Sequence, residues 1–110
     1  MERFSELLHG KFGFGCMRMQ LDDKGEVDLD NFRAMVHCYL DAGFNYFDTA
    51  HGYYDGKSER ALKEGLTSRY PRERYVLTDK LSPNFFESEA EIRPLFQTQL
   101  DACGVEYFDF

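Results

Sequence analysis

An aspartate, a tyrosine and a lysine stand where this sequence could do acid–base chemistry. Three polar clusters each follow a short apolar run: Gly15-Cys16-Met17-Arg18, Asp48-Thr49-Ala50-His51-Gly52-Tyr53, and Asp79-Lys80. A free tyrosine, with a pKa of ~10, exchanges protons poorly at neutral pH. A neighbouring ammonium favours the phenolate, and a carboxylate beside that lysine holds the cation in place. Asp48, Tyr53 and Lys80 supply those three groups. Tyr53 could then give a proton to a carbonyl oxygen as hydride reaches the carbon, and recover it from solvent. Taken singly, each has a plainer use: a strand-end Asp caps a turn, a loop Tyr packs its ring, and a Lys after a strand is a solvated charge. The chemistry requires all three at one rim.

Positioning them falls to the elements between. Four apolar runs read as strands: residues 12–17, 45–48, 75–78 and 107–110. Such runs, without polar alternation, suit strands covered on both faces, as in parallel sheets. Three helical patterns separate them. Asp28 or Asp30 can cap the first, whose stripe of Phe32, Met35, Val36, Tyr39 and Leu40 stops at Gly43. The second starts at Ser58, turns Ala61, Leu62, Gly65 and Leu66 inward, and ends before Pro71. The third opens on a capping box, Ser88 with Glu91, and carries Ile92, Leu95, Phe96, Leu100 and Cys103 to a stop at Gly104. Pro94 lies beyond the first turn, so either that helix kinks or it starts near Arg93.

A strand every ~30 residues with a helix between is the spacing of βαβ units. The stretch 40–48 echoes 100–109, matching at Gly, Tyr, Phe and Asp. A helix that stops at glycine and feeds a buried strand with a polar end explains the echo as well as duplication does. The order βαβαβαβ predicts one parallel sheet with right-handed crossovers. A complete four-stranded open sheet satisfies it; so does part of an eight-stranded barrel, which needs ~250 residues. Phe108 and Phe110 in a last strand with one edge unpaired favour the second. The expectation is an α/β chain, residues 1–110 forming the N-terminal half of a (β/α)8 TIM barrel truncated at the fourth strand. Reactive side chains in such folds gather at the carboxyl ends of strands, where the three clusters lie.

Composition narrows the function classes. The 110 residues, 43% hydrophobic and 30% charged, suit one globular domain. With 20 acidic against 13 basic side chains, a net charge of −7 opposes binding along nucleic acid or an anionic membrane. No run approaches the ~20 apolar residues of a membrane span. The first residues lack the apolar stretch of a secretory leader. Cys16, Cys38 and Cys103 are too few and too scattered for a disulfide framework or a metal site, and each is expected as a buried, reduced thiol. A cytoplasmic setting is expected.

The run Phe47-Asp48-Thr49-Ala50-His51-Gly52-Tyr53, with Gly56-Lys57-Ser58-Glu59 after it, strongly resembles the signature of the aldo-keto reductases, and the similarity covers essentially the whole chain. The resemblance implies Asp48, Tyr53 and Lys80 as catalytic residues; Tyr54 rivals Tyr53, and spacing alone selects between them. It implies Gly15, Cys16, Met17, Arg18 and Asp48 on the cofactor side, with His51 and Tyr54 at the substrate pocket. Asp79 departs from the pattern, which usually has Thr just before the lysine. Gly-Cys-Met-Arg further suggests a prokaryotic branch whose members often append an iron–sulfur domain, and no such cysteine cluster is present here. The family's fourth catalytic residue, a histidine beyond the fourth strand, has no counterpart in these 110 residues, and His9, His37 and His51 do not take its place.

The implied activity is reduction of small aldehydes and ketones with NADP(H), NADH being possible, and with no metal. Gly13-Phe14-Gly15 is no dinucleotide fingerprint, since GxGxxG would put a glycine at Arg18. Two other readings stand beside it. One is an inactive half-barrel fragment or a module that self-associates through open sheet edges. The other, a small open-sheet domain holding a phosphate ligand, lacks a glycine cradle.

Overall fold

In the computed structural model, residues 3–110 are described. A short helix α1 (Phe4–Leu7) precedes strand β1 (Gly13–Gly15). Then come α2 (Leu29–Asp41), β2 (Tyr46–Asp48), α3 (Lys57–Leu62), β3 (Val76–Thr78) and α4 (Glu89–Cys103). The sheet has the order β1-β2-β3 and both pairings are parallel. Its register aligns Gly15, Asp48 and Thr78 in one row. Two bonds extend that row past the strands: Cys16 N to Asp48 O at 2.9 Å, and Thr49 N to Thr78 O at 3.0 Å. The polar clusters therefore leave the sheet side by side.

Helix α2 begins where Asp28, not Asp30, accepts from Asn31 N at 3.0 Å. Its buried residues are Phe32, Val36, Tyr39 and Leu40; Met35, expected on that stripe, is 49% exposed. Ring centroids of Phe14 and Tyr39 lie 5.2 and 5.1 Å from that of Phe47 in β2. Leu62, Leu66, Leu77 and Cys103 complete the core on the other flank. Gly65 is required there, because a Cβ would come within 2.5 Å of the Phe32 ring. Helix α3 runs into a single π turn, Lys63–Thr67, across this contact.

The two starts left open for helix α4 resolve in favour of the capping box: it begins at Glu89, not near Arg93, and carries Pro94 inside it. The ring removes one backbone donor, while the Ser88–Glu91 capping box and a left-handed Gly104 hold the two ends. Phe96 is 41% exposed, and Gln99 is buried instead. Cys16 and Cys103 are buried as expected, whereas Cys38 is exposed on α2.

The fourth strand does not form. Residues 107–110 run beside β3 with two backbone bonds, Asp109 N to Leu77 O at 2.9 Å and Asp79 N to Phe110 O at 3.3 Å. The Asp109 carboxylate takes the Leu77 amide at 2.8 Å, the donor a ladder would offer to a fourth strand's carbonyl. Arg72 fastens the segment, with Nη2 at 2.6 Å from Asp109 Oδ2 and its guanidinium 4.0 Å from the centre of the Tyr107 ring.

Candidate active site

The row of strand ends becomes a site because short polar side chains tie the outgoing loops together. Ser58, buried at the start of α3, donates from Oγ to the Cys16 carbonyl at 2.9 Å and meets Thr49 Oγ1 at 2.8 Å. The loops after β1 and β2 are thus joined without solvent between them. After β2 the chain makes a tight turn in which Tyr54 and Asp55 are left-handed, with φ of 52° and 53°. Such a conformation costs a non-glycine residue about 1 kcal/mol or more and needs support from its surroundings. Tyr54 has that support: its hydroxyl accepts from Met19 N at 3.0 Å and anchors the loop that follows β1.

That turn gives different partners to two adjacent tyrosines that only their spacing from Asp48 set apart in the sequence. Tyr54 is committed to the Met19 amide, while Tyr53 lies under Lys80, whose Nζ is 5.1 Å from the Tyr53 ring centre. Lys80 Nζ also donates to Asp48 Oδ2 at 2.8 Å and to the Thr49 carbonyl at 2.9 Å. Partial burial pulls the Lys80 ammonium down, but hydrogen bonds and charge from Asp48 and Tyr53 outweigh it, and its pKa is raised. Asp48, Tyr53 and Lys80 come from two strand ends and one loop and meet at one mouth.

The remaining expected residues divide. Gly15 is exposed at the rim, and a Cβ there would meet nothing within 4 Å. Met17 and Arg18 are exposed beside it. Cys16 is fully buried, and its thiol is pushed up to about 12 by burial first and then by the Asp48 charge. Its amide and carbonyl serve Asp48 and Ser58, so its side chain does not reach the mouth. His51 reaches the rim, its ring edge-on to Phe85 at 4.9 Å and its Nδ1 2.8 Å from Glu59 Oε1.

Residue-by-residue reading missed the second layer. Glu59 and Ser58 belong to the signature-like run and are fully buried. Gln99, a polar residue within the otherwise apolar stripe of α4, donates from Nε2 to the Lys80 carbonyl at 2.9 Å. Asp79 accepts from Lys80 N at 2.8 Å. The departure at Asp79 was visible in the sequence; its neighbours were not.

Residues 11–110 match the model of the aldo/keto reductase family. The chain is 33% identical over 102 residues to the 4-dihydromethyl-trisporate dehydrogenase of Mucor mucedo, covering 88% of this chain and 28% of that protein. It is 32% identical over 63 residues to aldo-keto reductase ausK of Aspergillus calidoustus, covering 57% of this chain and 16% of the relative. Among solved structures it resembles an aldo-keto reductase from Bacillus halodurans in its holo form, with a TM-score of 0.73 and 28% identity over 92% of this chain and 34% of that one. An aldo-keto reductase from Klebsiella pneumoniae in complex with NADPH has the same fold, with a TM-score of 0.73 and 24% identity over 88% of this chain and 32% of that one. The chain spans about a third or less of the length of these relatives. Its parallel strands and intervening helices are part of a (β/α)8 barrel, and the chain belongs to the aldo/keto reductase family.

Proposed function

We propose that this chain carries the proton-handling part of an NADP(H)-dependent reductase acting on small aldehydes and ketones. The observation that carries the reading is the Lys80 ammonium, bonded to Asp48 at 2.8 Å and seated over the Tyr53 ring. In this reading Tyr53 is the general acid, donating its phenolic proton to the carbonyl oxygen of the substrate. Lys80 stabilises the phenolate left behind, which makes that donation easier near neutral pH. Asp48 and the Thr49 carbonyl fix the ammonium so that it need not reorganise as charge develops. Solvent at the partly exposed mouth returns the proton.

The exposed residues at the end of β1 fit one side of a nicotinamide dinucleotide. Gly15 leaves open space at the rim, and Arg18 offers a cation suited to phosphate. Cys16 does not fit as a ligand, because its side chain is enclosed. Gly15, Met17 and Arg18 would line the group, with Asp48 at the reacting end. When bound, that group supplies the hydride. The Klebsiella pneumoniae relative bound to NADPH supports the phosphorylated form.

In an intact reductase carrying these residues, Tyr53→Phe should lower turnover by about 100- to 10,000-fold, the usual worth of a positioned acid. Cofactor affinity, read by fluorescence titration, should stay within about two-fold, since less than a factor of ten corresponds to under ~1.4 kcal/mol. Turnover at the wild-type rate in Tyr53→Phe would remove the assignment. A second reading, self-association through the open sheet edges, is favoured by exposed Phe12 and Phe110 at opposite edges. Size-exclusion chromatography tests it: a concentration-dependent dimer supports it, and a monomer at all concentrations dismisses it.

A further inference from the structure

Behind the mouth lies a group of side chains that the acid–base trio does not use. Glu59 is fully buried, with Oε1 2.8 Å from His51 Nδ1 and Oε2 lacking any hydrogen-bond partner. Asp79 faces it from the end of β3. One carboxylate oxygen of each, together with Cys103 Sγ, fall within 4.8 Å of one another. The Gln99 amide abuts Glu59, and the Arg60 charge acts on it from its own helix. His51, Asp79, Gln99, Cys103 and Arg60 are thus the polar and charged groups that act on Glu59 among the described residues.

Two carboxylates this close, one of them fully buried, do not readily both ionise. Burial first, and then the hydrogen bond and charge of Asp79, push Glu59 up to about 9. A proton on Glu59 Oε2 supplies the donor that the orphaned atom lacks, with Asp79 as its acceptor. Glu59 Oε1 is then a carbonyl oxygen that only accepts, so His51 Nδ1 must donate to it. A neutral imidazole donating from Nδ1 carries a lone pair on Nε2. His51 is partly exposed at the rim and braced by Phe85, so that lone pair is available there.

We propose that Glu59 and Asp79 share one proton, and that the pair locks His51 as an Nδ1–H imidazole whose Nε2 accepts a hydrogen bond from a hydroxyl next to the substrate's carbonyl. His51 is then a specificity residue, and Glu59 and Asp79 are positioning residues that act through it and through the Lys80 backbone. The substrate half of this inference rests on the reductase reading; the proton half does not.

The test is heteronuclear NMR on the ligand-free chain near neutral pH. The Glu59 carboxyl carbon should resonate as a protonated acid, and His51 should show the coupling pattern of the Nδ1–H tautomer. Glu59→Gln, a neutral isostere, should keep that pattern, and Asp79→Asn should move the ionisation of Glu59 to lower pH. An ionised Glu59 in the wild-type chain, or a proton on His51 Nε2, overturns the shared proton, whatever the fate of the Tyr53 assignment. Hydroxyacetone in excess should shift the His51 Nε2 resonance where acetone does not. An equal response to both ketones, or to neither, overturns the hydroxyl recognition.

Discussion

Asp48 and Glu59 are both carboxylates within one short stretch, and their surroundings give them opposite tasks. Asp48 sits at the open mouth with Lys80 Nζ at 2.8 Å, its side chain 33% exposed. Glu59 sits behind it, fully enclosed, facing a second carboxylate and no cation at contact distance among the described residues. A carboxylate with an ammonium and water beside it is held as an anion; one in a dry pocket opposite another acid is held as an acid. The mouth therefore stores charge and the layer behind it stores a proton. In the proposed reaction one layer would act on a substrate, and the other would keep the first in place.

That contrast can be broken from the mouth with the largest effect. Lys80→Met, in an intact reductase, should lower turnover by about 100-fold or more, because the phenolate loses its cation. Its denaturation midpoint should barely move, since a partly exposed ion pair is worth about 0–1 kcal/mol. A large loss of stability without loss of turnover would reverse the roles of the two layers.

Breaking the inner layer should do the opposite. Glu59→Ala leaves the His51 donor and Asp79 without their partner in a dry site, and should destabilise by about 2–4 kcal/mol in urea unfolding. Glu59→Gln should cost less than half as much, since the amide can donate to Asp79 and accept from His51. Equal losses in the two variants would show that the carboxyl is needed as an anion.

The pH dependence sharpens the contrast further. The native Glu59 value of about 9 lies above its ordinary 4.5. Between those values the folded chain holds a proton that the unfolded chain has released, so this contribution is complete below the lower value and is lost as pH rises through the upper one. The slope is at most about 1.4 kcal/mol per pH unit. Unfolding of Glu59→Gln measured from mildly acidic to alkaline pH should lack that slope; an identical slope in variant and wild type would assign it elsewhere. Asp48→Asn should have the smallest effect on stability, within about 1 kcal/mol, because its partner stays hydrated.

The same division separates what was legible in the sequence from what was not. Asp48, Tyr53 and Lys80 could be read because strand ends and a long signature-like run mark them, and the helix caps at Asp28, Ser88 and Gly104 follow local rules that the fold obeys. The fourth strand was misread because apolar character alone suggested it, while Asp109 and Arg72 use its hydrogen-bonding capacity for a side-chain clamp. Gln99 was overlooked because a polar residue on a helix normally faces water; only the approach of α4 to the Lys80 carbonyl gives it a reason to be buried. Tyr53 and Tyr54 differ in the string only by their spacing from Asp48, whereas the fold gives them different partners.

Local spacing and residue type by themselves determined the alternation of strands and helices, the rim on which chemistry could occur, and the three groups proposed to do it. Tertiary structure alone decided what Tyr53 and Tyr54 touch, how Glu59 and Asp79 face each other, and how residues 107–110 lie beside β3. Those outcomes depend on distance and dryness between parts of the chain remote in sequence. Charge state and hydrogen bonding answer to three-dimensional surroundings rather than to neighbours along the backbone.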